Sequence, residues 1–219
     1  VIEQGDYTLG SAVDKFEADF ADLNAGKFGI GVGSGTDALF LSLKALNIGE
    51  GDEVITTPYT FFATIGAIVT AGATPVFVDA GQDHNINVSL IEQAITEKTK
   101  AIMPVHWAGV PCDMDEINAI AKAHKLKVIA DACHGILSEY KEQGIASVSD
   151  VACFSMHPLK NLNVWGDGGV IVTNDEALAK QLYLIRNHGL IDRDNCAQWS
   201  YNSRLDTVQA VVAQHLLDN

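Results

Sequence analysis

Short apolar runs separated by amphipathic stretches recur along nearly the whole chain, and that alternation constrains the fold more than any other feature. Phe28 to Val32, Glu53 to Thr57, Pro75 to Asp79, Lys100 to Val105 and Lys127 to Asp131 read as strands, with turn-forming or polar residues after them. Ala38 to Leu46, Phe61 to Ala71, Ser89 to Ala94 and Met114 to His124 read as the intervening helices. Two further strands, Asp150 to Phe154 and Gly169 to Thr173, precede a helix from Asp175 to Asn187. Ahead of them all, a glycine-containing turn leads into Val13, Phe16, Ala18 and Phe20 at roughly helical spacing. Ser89 with Glu92 has the form of a capping box, and Asp113 stands as the cap of the helix it precedes. Strand, helix, strand with short connections means an α/β fold: a parallel sheet covered by helices on both faces. Ligands of such sheets bind outside the carboxyl ends of the strands.

The 219 residues show no internal repeat, no low-complexity segment and no linker, so a single α/β domain is expected. With 47% hydrophobic and 19% charged residues the core is ample. A formal net charge of −14 argues against a nucleic-acid footprint or an anionic membrane surface. No apolar run reaches membrane-spanning length. Cys112, Cys133, Cys153 and Cys196 form no CxxC pair and no zinc-like spacing with the seven histidines, so no metal site is expected. Cys133 and Cys153, inside or beside apolar strand-like runs, read as buried free thiols, and a cytoplasmic location follows. The arginines, Arg186, Arg193 and Arg204, all lie late in the chain, which leaves none earlier to clamp a substrate carboxylate.

Three strand ends carry chemistry. After Val32 come Gly33, Ser34, Gly35 and Thr36, then a helix, an arrangement that offers backbone N–H groups and a positive helix end to a phosphate. Gly33, Gly35 and Ala38 also match a dinucleotide fingerprint, which wants an acid at the end of the second strand. That strand ends in Thr56-Thr57-Pro58, and the nearest strand-end acid is Asp79. After the fifth run comes Asp131, with His134 three residues on. Asp131 is either a local cap or a partner for a cationic group, and His134 alone reads as a structural histidine. After Phe154 come Ser155, His157 and Lys160, and by spacing alone that lysine is an ordinary solvated turn residue. Taken together, a phosphate loop, a strand-end Asp and a turn Lys are what pyridoxal 5′-phosphate requires: an anchor for the phosphate, a carboxylate for the ring nitrogen and an amine for the aldehyde.

At that point the chain resembles the DegT/DnrJ/EryC1/StrS family of sugar aminotransferases. The resemblance rests on Gly33-Ser34-Gly35-Thr36-Asp37-Ala38-Leu39, Gly49 to Ile55, Gly72 to Asp79, Thr99 to His106, Ile129 to His134 and Phe154 to Lys160. It implies a three-layer α/β/α large domain of fold type I with a mostly parallel sheet. It also implies that Lys160 forms the Schiff base and Asp131 pairs with the pyridine nitrogen. His134 then meets the ring hydroxyl, Phe61 stacks on the ring, and Gly35, Thr36 and Ser155 contact the phosphate. Tyr201-Asn202-Ser203-Arg204 resembles the family's Asn-x-Arg segment, which implies a homodimer with shared sites and Asn202 acting in trans.

The implied reaction moves an amino group from glutamate to a keto group of a nucleotide-linked deoxysugar. Some members carry histidine at the lysine position and act as dehydratases, so lysine at 160 speaks for transamination. Asn161-Leu162 and Gly166-Asp167-Gly168 are similar to members acting on 3-keto sugars. Family members are far longer, so a smaller C-terminal domain is expected beyond Asn219 and an earlier start before Val1. The alternatives are another fold type I enzyme acting on a small amino acid, or a non-catalytic regulatory relative. His106, Trp107 and Trp165 are candidates for the mouth of the site, with core or dimer packing the alternative for the tryptophans.

Overall fold

A computed structural model describes Val1, Glu3 and residues 5–219; Ile2 and Gln4, in the expected N-terminal turn, lie outside the described residues. In chain order the elements are α1 (Ser11–Leu23), β1 (Phe28–Val32), α2 (Gly35–Ala45), β2 (Glu53–Thr56), α3 (Phe62–Ala71), β3 (Thr74–Phe77), β4 (Thr99–Ile102), α4 (Met114–His124) and β5 (Lys127–Asp131). A small hairpin of β6 (Glu139–Tyr140) and β7 (Gln143–Gly144) follows, then β8 (Val151–Ser155), β9 (Gly169–Thr173), α5 (Glu176–Ile185) and α6 (Thr207–Leu217).

The main sheet has seven strands in the order β1-β9-β8-β5-β4-β2-β3. All neighbours pair in parallel except β9, which runs antiparallel to both β1 and β8. The sheet is thus mostly parallel, as the family resemblance implied, with β9 the one antiparallel strand. Chain connectivity explains the exception. No helix lies between β8 and β9, so the chain folds straight back beside β8, and a crossover for parallel pairing is missing. The segment that makes this return carries Lys160.

Alternate residues of the central strands serve opposite faces, as the two-residue period of a strand requires. Val151 and Cys153 of β8 join one core with residues of α2, α3 and α5. Ala152 and Phe154 join another with residues of α1 and α6. A third apolar cluster lies under α4. The result is three layers, α/β/α. α3 ends at Gly72, whose φ of 95° is the left-handed conformation that closes a helix.

Three local expectations change. The buried face of α1 is Val13, Phe16, Glu17, Phe20 and Ala21, while Ala18 is exposed. Glu17 takes the inward position because it accepts from Gly31 N at 2.7 Å and pairs with buried Arg186. The segment around Ser89 forms two single 3₁₀ turns, not a helix, and Asn87 caps the first by accepting from Ser89 N. Asp113 makes no side-chain cap bond, because its carboxylate is taken by the Tyr140 hydroxyl at 2.5 Å.

Candidate active site

The carboxyl ends of β1, β5 and β8 open onto one cleft of ≈520 Å³. Gly35, Thr36, Phe61, Asp131, His134, Ser155 and Lys160 all line it. Asn202 does not. It is exposed at the surface, bridged to Asn187. Of the expected mouth residues Trp107 lines the cleft, but His106 is fully buried beneath it. Trp165 is 80% exposed and its backbone is held by Gln209 of α6, away from the cleft.

The loop after β1 is built to let something close. Ser34 caps α2 through Asp37 N at 3.0 Å, which leaves the first N–H groups of the helix without intrahelical acceptors. A Cβ at Gly35 would stand 2.6 Å from Ser155 Cβ and 3.0 Å from Cys133 Sγ. Only glycine lets the start of α2 pack onto the end of β8. Ser155 accepts from His157 N at 3.3 Å, so its own proton is free to donate into the cleft.

Asp131 ends β5 and is 5% exposed. Its Oδ1 accepts from Cys133 N at 3.2 Å and its Oδ2 from the Thr64 hydroxyl at 2.6 Å. Both donors are neutral, so this buried carboxylate still calls for a cation. A protonated ring nitrogen suits it. Lys160 is half-buried on the turn after β8, with its backbone N–H bonded to His157 O at 2.8 Å. Among the described residues its ammonium has no hydrogen-bond partner, as an amine kept for a ligand should be.

His134 accepts from Ala108 N at Nδ1, 3.3 Å away, so in its neutral form the ring proton sits on Nε2. Burial lowers its pKa, and the Lys160 charge lowers it further against a smaller opposing pull from Asp131. A neutral imidazole with a free Nε2–H is a donor for a ligand hydroxyl. Trp107 meets the His134 ring edge-on at 5.3 Å, and Tyr59 packs on Trp107 at 4.7 Å. Burial, with Asp131 beside it, pushes the Cys133 thiol well up, so it is a poor nucleophile there.

Thr64 and Ser203 were not singled out from the sequence. Ser203 accepts from Gly33 N at 3.1 Å and donates to Asp37 at 2.7 Å, bracing the loop after β1 from 170 and 166 residues away. The local pattern around either residue gives no signal; only the hydrogen-bond partners reveal them.

The dinucleotide reading fails on topology. Asp79 follows β3, at the opposite edge of the sheet from β1 and Gly33. Six strand spacings of about 4.8 Å put roughly 29 Å between those edges.

A model of the DegT/DnrJ/EryC1/StrS aminotransferase family matches residues 1–219. The chain belongs to this family. Among DegT/DnrJ/EryC1/StrS proteins it is 47% identical over 213 residues to a pleiotropic regulatory protein of Geobacillus stearothermophilus, covering 97% of this chain and 57% of that one. It is 45% identical over 213 residues to a UDP-N-acetyl-3-dehydro-alpha-D-glucosamine 3-aminotransferase of Acidithiobacillus ferrooxidans, covering 97% of this chain and 58% of the other. The crystal structure of DesV from S. venezuelae, in complex with a ketimine intermediate, superposes with a TM-score of 0.97 at 41% identity, covering 99% of this chain and 59% of that one. The chain thus spans less than three-fifths of the length of each of these relatives.

Proposed function

We propose that the chain is the cofactor-binding large domain of a pyridoxal 5′-phosphate-dependent aminotransferase acting on a nucleotide-linked keto sugar, with glutamate as donor. The observation that carries the reading is the meeting of Ser34-Gly35-Thr36, Asp131 and Lys160 in one cleft. The residues fit the group: glycine where a Cβ would foul the cradle, a buried carboxylate without a cationic donor, and an amine without a partner. When bound, the cofactor supplies an aldehyde for a primary amine and a ring that takes up the electron pair left by a departing proton.

This chain's residues do the rest. Gly35 and Thr36 hold the phosphate at the positive end of α2, helped by the Ser155 hydroxyl. Asp131 keeps a proton on the ring nitrogen, His134 donates to the ring hydroxyl, and Phe61 covers a ring face. Lys160 would supply the amine that holds the aldehyde and the base that moves a proton at the substrate carbon.

The sugar substrate is supported by the relative named as a UDP-sugar aminotransferase and by the arginines. Arg186 is buried against Glu17, Arg204 bonds Asn187, and among the described residues no arginine lines the cleft, which disfavours an amino-acid-specific site. A homodimer is supported by exposed Phe61, Phe62 and Val69 on and beside α3, and by Asn202 lying outside its own chain's cleft. The four free thiols suit a reducing cytoplasm. Among the described residues no helix is long and apolar enough to cross a membrane.

The test is the absorbance of the full-length protein with pyridoxal phosphate. A yellow band that borohydride fixes onto Lys160, that glutamate bleaches and that Lys160→Ala lacks is the expected result. No band in the wild type sinks the reading. The relative named as a regulatory protein favours one rival, a ligand-binding regulator; a biological effect that survives Lys160→Ala would establish it.

A further inference from the structure

Asp131 does not stand alone at the floor of the cleft. Its Oδ2 is 2.6 Å from Thr64 Oγ1, and Thr64 Oγ1 is 2.7 Å from Thr60 Oγ1. Thr64 is 1% exposed and sits in the first turn of α3. Thr60 is half-buried in the loop just before that helix and lines the cleft.

The direction of these bonds follows from the chemistry of the ends. An ionised carboxylate only accepts, so Thr64 donates its single proton to Asp131. Its oxygen is then free only to accept, and the bond from Thr60 runs Thr60 to Thr64. Two hydroxyl dipoles therefore point the same way, toward the carboxylate, and each strengthens the other.

We propose that Thr64, backed by Thr60, is a positioning residue for the cofactor chemistry: the hydroxyl chain Thr60–Thr64–Asp131 holds the Asp131 carboxylate in one orientation. The inference rests on the reading of Asp131 as partner of the ring nitrogen. With Cys133 N on Oδ1 and Thr64 on Oδ2, both carboxylate oxygens are fixed, so the group cannot rotate about its last bond without losing a donor. The chain also ties two parts of the site together. Thr60 is the neighbour of Phe61, so the same bonds that aim the carboxylate from β5 locate the loop bearing the aromatic ring. Valine has the shape of threonine without the hydroxyl, so it removes the donor to Asp131 and the acceptor for Thr60 while leaving the methyl contacts.

The experiment compares the full-length wild type with Thr64→Val, Thr64→Ser and Thr60→Val. Equilibrium titration with pyridoxal 5′-phosphate gives Kd, and a pH titration of the bound cofactor's absorbance gives its midpoint. Loss of one hydrogen bond to a charged group predicts that Thr64→Val binds about tenfold more weakly or worse. Its absorbance midpoint should also move away from that of the wild type. Thr64→Ser should restore both, and Thr60→Val should shift both in the same direction by less.

A Thr64→Val protein with wild-type Kd and midpoint overturns the proposal, as does one that only loses stability while the midpoint holds. If Thr64→Val does not fold, Thr60→Val decides, and unchanged constants there overturn it. A wild type that takes up no cofactor removes the reading of Asp131 and the proposal with it; in the other outcomes the wild type binds and only the hydroxyl chain is judged.

Discussion

Gly35→Ala tests the most constrained contact of the site. The added Cβ would stand 2.6 Å from Ser155 Cβ and 3.0 Å from both Cys133 Sγ and Ser155 Oγ. Carbon atoms in good contact sit about 3.5–4.0 Å apart, so α2 and the end of β8 must separate by about 1 Å. Neither neighbour can yield cheaply, because Cβ of Ser155 moves only with its backbone. Overpacking of this kind costs about 1–3 kcal/mol, and alanine's advantage over glycine in a helix returns less than about 1 kcal/mol of it. A net loss of about 1–2 kcal/mol should lower the urea midpoint by about 0.5 M, taking a slope near 3 kcal/mol per molar for a chain of this size. The same shift moves the first N–H groups of α2 off their mark, and losing one bond to a phosphate weakens cofactor binding about ten- to a hundredfold. If Gly35→Ala unfolds at the wild-type midpoint and binds pyridoxal phosphate with wild-type Kd, the account of the cradle is wrong.

Three further outcomes are expected. Glu17→Ala strips the buried Arg186 of its counter-charge and Gly31 N of its acceptor, so stability should fall by about 3–5 kcal/mol in urea titrations; a loss under about 1 kcal/mol would mean that water replaces the carboxylate. Burial pushes the pKa of His106 down to about 4 from its ordinary 6.5. The unfolded chain therefore binds the extra proton first, and stability should drop as pH falls from about 6.5 to about 4, by about 3 kcal/mol in all. His106→Asn, which keeps an acceptor for Cys112 N, should flatten that part of the pH profile, and an unchanged profile refutes the assignment. Finally, Lys160→Ala and Asn202→Ala proteins, each inactive, should regain activity when mixed as hybrid dimers, because a trans arrangement leaves one site intact. Hybrids as dead as their parents would place Asn202 in its own subunit's site.

Where local chemistry decided the matter, the sequence was enough. β1, β5, β9 and α4 begin and end where the apolar runs and the helical period say they should. The three strand ends that carry the site lie at the carboxyl edge of the sheet, as the alternation requires, and seven of the eight expected site residues line one cleft. Local reasoning failed where a distant partner competed. The Ser89 box lost to Asn87 in a segment too short to complete a helix, and the Asp113 cap lost its carboxylate to Tyr140 from another element. Glu17 falls on the buried face of α1 by helical period, where Ala18 does not, and a charge is kept there only because Arg186, 169 residues away, pairs with it. The bracing of Gly33 by Ser203 and the hold of Thr64 on Asp131 have no trace in any short window. Periodicity reports which face of an element is apolar. Which hydroxyl reaches a carboxylate 67 residues along the chain depends on where the fold sets the start of α3 against the end of β5, and only the tertiary structure decides that.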